Sequence, residues 1–290
     1  MSEPTGSSLR DRLIVLAAYA AAGLAAVGSS RALQGSPPLL AAAVADAAAT
    51  VAVFLFSLGC DNSSLYDPYW SVAPPFLALY WWLASGGPLG LRPLLVFLLA
   101  SAWAVRLTWN WLRRWRGLGH EDWRYRDFRS RFGPLYWPVS FLGIHLFPTV
   151  VVFLGSLSLY AVFYGPQGSL GALDAVAAAL TGGAIALEAV ADRQLHRFAR
   201  DGGEGILDRG LWGICRHPNY LGEILFWWGL FLFALAGRPG LWWPVAGPVV
   251  VTALFGLVSA PMMDRHLLAS RPGYADHMRK RGSLLPRLRR

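Results

Sequence analysis

The sequence predicts an all-α, polytopic integral membrane bundle of seven to eight transmembrane helices with both termini in the cytoplasm. Three observations predict it. Of 290 residues, 55% are hydrophobic and only 15% are charged, against about a quarter charged in an ordinary soluble domain. Apolar runs of the ~20 residues that cross a bilayer recur along the chain. Lys and Arg gather in three of the segments between these runs, and that bias sets orientation.

Eight runs are candidate spans, roughly 12–33, 39–60, 69–86, 92–113, 138–164, 169–191, 219–236 and 240–262. The first follows Arg10 and Arg12 and has no clear small-residue cleavage site, so it reads as an anchor and not as a removed leader. Gly/Pro breaks at 35–38, 86–90, 165–168 and 237–240 separate successive pairs. The runs 69–86 and 219–236 are short, which leaves tilted, re-entrant or hairpin arrangements open and makes seven spans the alternative to eight.

The loop 113–131 carries Arg113, Arg114, Arg116, Arg124, Arg126, Arg129 and Arg131, the stretch 193–216 carries five more arginines, and the tail from Arg265 carries eight Arg or Lys. Alternating eight spans places these three segments on one side. The formal charge of +9 would suit a nucleic-acid binder, but the apolar excess excludes that class, since a basic groove protein must keep its surface wet. The partners expected are the lipid bilayer and a lipophilic small molecule. Cys60 and Cys215 make no disulfide scaffold, the six histidines show no zinc spacing, and no metal is expected. Neither a Gly-x-Gly-x-x-Gly nor a Walker motif occurs, so a Rossmann or P-loop fold is not indicated. Arginines mixed with His and Tyr near 193–216 and in the tail suit a phosphorylated, aromatic ligand, because guanidinium pairs with phosphate and stacks on rings.

Ionisable groups inside a span are costly and point to function. Asp46 interrupts the second run, and a buried pair with Arg106 that fixes helix register is the alternative to a functional role. His145, alone on an apolar run, reads as a hydrogen-bonded core histidine. Glu188 and Asp192 share a helical face and are placed to look toward Glu223, which follows Asn219 by one turn. Carboxylates there suit hydrogen bonds from ribose hydroxyls or an amide; capping and interfacial salt bridging are the alternative.

The stretch from Gly210 to Glu223, which reads GLWGICRHPNYLGE, is the most specific signal. Pro218 starts a helix at its first turn, and Asn219 and Glu223 then share a face below Arg216 and His217. This resembles the C-terminal half of the membrane-embedded steroid 5α-reductase family and its bacterial relatives, over about Asp61 to the tail. An Arg-His-Pro-x-Tyr turn also occurs in sterol reductases and, more distantly, isoprenylcysteine carboxyl methyltransferases. The resemblance implies NADPH as cofactor, with Asn219 and Glu223 holding its nicotinamide end, and with Glu188, Asp192, Arg200, Arg209, Arg216, His217, Tyr220, Arg265, Arg271 and Tyr274 completing the cofactor site. It further implies a site open to the cytoplasm and, for a bacterial relative, residence in the inner membrane.

Those reductases polarise a substrate carbonyl with a Glu that follows a Gln and with a Tyr ahead of an Arg. Here Asp67 follows Tyr66, and Trp103 stands ahead of Arg106. An indole N–H donates a hydrogen bond but is no phenolic acid, so Tyr66 and Asp67 are the catalytic candidates. An interfacial aromatic turn with a capping Asp is the other reading of the same residues. The expected activity is NADPH-dependent reduction of an activated, enone-type C=C bond in a steroid-like or other lipid. An S-adenosylmethionine-dependent lipid or isoprenoid methyltransferase of the same fold, and a lipid-binding protein without catalysis, are the rivals; the absence of a glutamate run around Met262 to Arg265 speaks against the first. The expected layout is an N-terminal helical part, 1–60, and a reductase-like membrane domain, 61–290, with cofactor-binding loops at 113–137, 193–218 and 263–290.

Overall fold

A computed structural model describes residues 7–86, 90–165 and 168–287. The expected breaks at 86–90 and 165–168 lie partly outside the described residues. Among these, the regular structure is helical apart from one bridge between Cys215 and Gly282. Among the described residues seven helical stretches are long and apolar enough to cross a membrane, which makes the chain a polytopic membrane helix bundle.

Helix α1 (Leu9–Ala32) begins with a capping box, in which Ser8 accepts from the Asp11 N–H and Asp11 accepts from the Ser8 N–H. Helix α2 (Pro38–Gly59) starts on a proline, whose missing N–H costs nothing at a first turn. A 3-10 turn (Ser63–Tyr66) leads into α3 (Tyr69–Ala84), the third candidate span, which has 16 residues and carries Pro74 and Pro75. Next comes α4 (Leu91–Arg114). The loop expected from 113 to 137 contains α5 (Trp123–Phe132), capped by Asp122, whose carboxylate accepts from the Arg124 N–H at 2.9 Å. Short helices α6 (Tyr136–Ser140), α7 (Phe147–Gly155) and α8 (Leu157–Phe163) complete that span.

Helix α9 (Ala172–Arg200) runs well past the end expected at 191, because its last turns are polar but lack Gly and Pro. It is followed by α10 (Pro218–Gly237), α11 (Ala246–Ala253), α12 (Ala260–Ser270) and α13 (Tyr274–Lys280). Two π-helical segments, Phe141–Leu146 and Leu254–Ser259, each precede a proline, Pro148 and Pro261. A proline ring clashes with the carbonyl four residues back, and a widened turn relieves the clash.

The chain forms two compact units, Met1–Pro88 with Trp103–Ser156, and Leu89–Ala102 with Leu157–Arg290. The first has a core in which Ala22, Ala49, Val53, Tyr66, Tyr69, Ala73 and Val152 pack together. In the second, α9 and α10 lie close because glycines of α10 face α9. A Cβ at Gly222 would run into the Glu188 side chain, and one at Gly229 into Thr181. These two contacts are seven residues apart on each helix, the repeat of one packed face. Arg92 and Asp174 form a bidentate pair in this unit at 2.6 and 2.9 Å, both nearly inaccessible.

Candidate functional site

In the second unit several of the expected cofactor residues, Arg216, His217, Tyr220 and Tyr274 among them, come together at the start of α10, organised by a residue the sequence reading passed over. Asp264 of α12 accepts from Arg216 through two parallel bonds of 3.1 and 2.7 Å, pairs with His217 Nε2 at 2.9 Å, and accepts from the Tyr274 hydroxyl at 2.6 Å. The remaining arm of Arg216 donates to the Arg281 carbonyl at 2.5 Å. Backbone N–H groups of Arg216 and His217 donate to the carbonyls of Gly282 and Ser283, both at 3.0 Å. The Arg-His-Pro turn and the C-terminal tail are thus locked together by one carboxylate. Burial, and then the Asp264 carboxylate itself, push the Tyr274 phenol above its ordinary range. Arg216, His217 and Tyr274 belong to this lock, and Arg216 directs its guanidinium at protein acceptors.

Upstream, the turn Gly210–Gly213 docks on the end of α9. Gly210 has φ +61°, and a Cβ there would strike the Gln194 side chain. That side chain accepts from the Leu211 N–H at 3.0 Å, and the Trp212 indole donates to the Ala191 carbonyl at 3.0 Å. Downstream, Tyr220 stacks on His217 with ring centroids 5.1 Å apart, and Glu223 accepts from the Trp227 indole at 2.9 Å. Glu188 and Glu223 are both buried, and Asp192 is half-buried. Asn219 has a buried side-chain oxygen without a hydrogen-bond partner, an acceptor one turn ahead of Glu223. Arg200, Arg209, Arg265 and Arg271 are exposed, and Arg200 pairs with its neighbour Asp201 at 3.0 Å. A buried acceptor and buried carboxylates can receive an amide and hydroxyls, and the exposed guanidinium groups of the same unit can receive phosphates.

In the first unit Tyr66 and Asp67 point to different partners. The Tyr66 hydroxyl is buried against Thr149 Oγ1 at 2.6 Å, and its ring stacks on Tyr69. Asp67 accepts from the Tyr125 hydroxyl at 2.5 Å, with Arg124 at 3.9 Å, and its side chain keeps 19% exposure. Burial pushes the Asp67 carboxyl from 3.8 up to about 6, opposed by Arg124 and Tyr125. The two side chains thus hydrogen-bond to separate partners, and Tyr125, not Tyr66, stands beside the carboxyl. Nothing in the spacing of residues 67 and 125 signals that contact, which arises because α5 is a helix and not a loop. Asp46 finds its partner in Tyr69, whose hydroxyl donates to Oδ1 at 2.6 Å. His145 lies between the Ser57 hydroxyl and the Ser140 carbonyl, at 3.2 and 3.0 Å, as a hydrogen-bonded core residue.

Fold and site together define a polytopic helical membrane protein in which a carboxylate anchors the C-terminal tail beside a polar, arginine-flanked helix start. The chain belongs to the DUF1295 family, described as proteins of unknown function, whose profile matches residues 53–280. It is similar to an uncharacterised protein of Schizosaccharomyces pombe, with 27% identity over 258 residues that cover 80% of this chain and 75% of that relative. No solved structure matches the chain.

Proposed function

We propose that this protein is a membrane-embedded, NADPH-dependent oxidoreductase that reduces an activated C=C bond in a steroid-like or other lipid substrate. The observation that carries the reading is the unpartnered, buried side-chain oxygen of Asn219 at the start of α10. A buried acceptor left unmatched is costly, and the carboxamide N–H of a nicotinamide is a donor of the right kind. The resemblance of the stretch from Gly210 to Glu223 to the steroid 5α-reductase family supports the same cofactor.

NADPH would supply the hydride, and the protein would supply orientation, a dry pocket and a proton. Asn219 would hold the carboxamide. Glu188, Asp192 and Glu223 would accept from hydroxyl or amide groups. Arg200, Arg209, Arg265 and Arg271, all exposed, would grip the phosphates from the cytoplasmic side. Arg216, His217 and Tyr274 would act through the tail they hold in place with Asp264.

Thermal protection of the purified protein tests this. NADPH should raise the melting temperature in a dose-dependent manner, with S-adenosylhomocysteine without effect. The opposite pattern would make the protein a methyltransferase of the same fold.

A further inference from the structure

The first unit holds a second polar cluster that the reductase reading does not use. Asp46 lies in the interior of α2 and is 5% exposed. Its Oδ1 accepts from the Tyr69 hydroxyl at 2.6 Å, while its Oδ2 is buried and has no hydrogen-bond partner. Thr50, one turn later, donates to the Asp46 carbonyl at 2.9 Å and lies 2.7 Å from Thr149 Oγ1, which in turn is 2.6 Å from the Tyr66 hydroxyl. Hydroxyls from α3, α7 and the 3-10 turn thus surround a carboxyl of α2, and one oxygen of that carboxyl lacks its match. The surrounding wall is apolar, made of Ala22, Ala49, Val53, Ala73 and Val152.

We propose that this cluster is a binding site for the hydroxyl group of a lipophilic alcohol. An unmatched carboxyl oxygen at bilayer depth is costly and marks a functional position. A hydroxyl donates to the unmatched Oδ2, as a carbonyl or an ether cannot, and its own oxygen can accept from a hydroxyl of the cluster. Ala22, Ala49, Val53, Ala73 and Val152 offer an alkyl body an apolar surface beside the polar group. Entry is lateral, past α1, whose buried residues are only Ala18 and Ala22 and whose Tyr19 donates to the Leu65 carbonyl at 3.2 Å. The site does not depend on NADPH. Asp46, Thr50 and all of α1 fall outside the residues matched by the family profile, 53–280.

The test uses the full chain in phosphatidylcholine nanodiscs and a long-chain primary alcohol carrying a diazirine, with its methyl ether, which accepts but cannot donate, as control. Photolabelling by the alcohol should map to α2 and α3, exceed that by the ether at least about tenfold, as one hydrogen bond to such a group implies, and disappear in Asp46→Leu. That variant should melt no lower than the parent, because an apolar residue of similar volume removes an unmatched group and leaves Tyr69 its bond to the residue 46 carbonyl, 3.0 Å away. Labelling of the unaltered protein that maps elsewhere, or is equal for alcohol and ether, overturns the proposal. So does labelling that survives Asp46→Leu, and so does failure of that variant to fold, which would make the carboxyl a structural requirement.

Discussion

Asp264 shows how one carboxylate organises a site. Truncating it in Asp264→Ala leaves Arg216 with a desolvated charge and strips His217 and Tyr274 of an acceptor. Breaking a buried pair in this way costs about 3–5 kcal/mol. The variant should melt well below the parent and expose the tail to limited proteolysis between Arg271 and Arg287. The motif makes Arg216 and His217 conspicuous in the sequence, whereas Asp264 stands 48 residues beyond Arg216, between Met263 and Arg265, with no spacing to mark it. Asp67 gives a prediction of a different kind. Its carboxyl titrates at about 6 in the folded protein against an ordinary 3.8, so between those values the folded state holds more protons than the unfolded one. Stability from this group is therefore greatest below about pH 4 and falls as pH rises through about 6. Melting temperatures in detergent across that range should decline with pH for the parent and less steeply for Asp67→Asn; parallel curves would show that Asp67 is not the group responsible.

At the scale of elements, the spans were legible because length and apolarity decide them. The second run, expected at 39–60, is α2 at Pro38–Gly59. The seventh, expected at 219–236, is α10 at Pro218–Gly237, with the helix-starting proline in the place its chemistry requires. What periodicity hides is the closeness of particular pairs. Gly222 and Gly229 look like ordinary small residues in an apolar run, yet each meets a side chain of α9. Gly229→Val should force α9 and α10 apart at a cost of about 1–3 kcal/mol, read as a lower melting temperature, while a substitution at the open Gly183 should cost far less. Helix α5 was hidden for another reason. Its arginines resemble a loop that sets topology, but Asp122 caps a helix there and Arg129 is tied to Asp61 and Glu121 at 2.8 and 3.2 Å. That helix carries Tyr125 to Asp67.

For the whole molecule, the contrast between an apolar body and +9 of formal charge resolves by location. The spans hold few charges, and the arginines collect at helix ends and connecting segments. If the three basic segments face the cytoplasm, cysteines introduced at positions 116 and 285 should react with an impermeant maleimide in inverted vesicles and not in right-side-out ones. On the proposed reading, in which exposed arginines grip the cofactor's phosphates, binding should weaken as salt is raised. Asn219 concentrates the functional claim in a single atom, and NADPH titration of the purified chain and of Asn219→Ala tests it most directly. Loss of one hydrogen bond at a buried site predicts affinity reduced on the order of tenfold with an unchanged melting temperature for the apo-protein. Equal affinity in the two proteins, or no NADPH binding by the parent, would contradict the account.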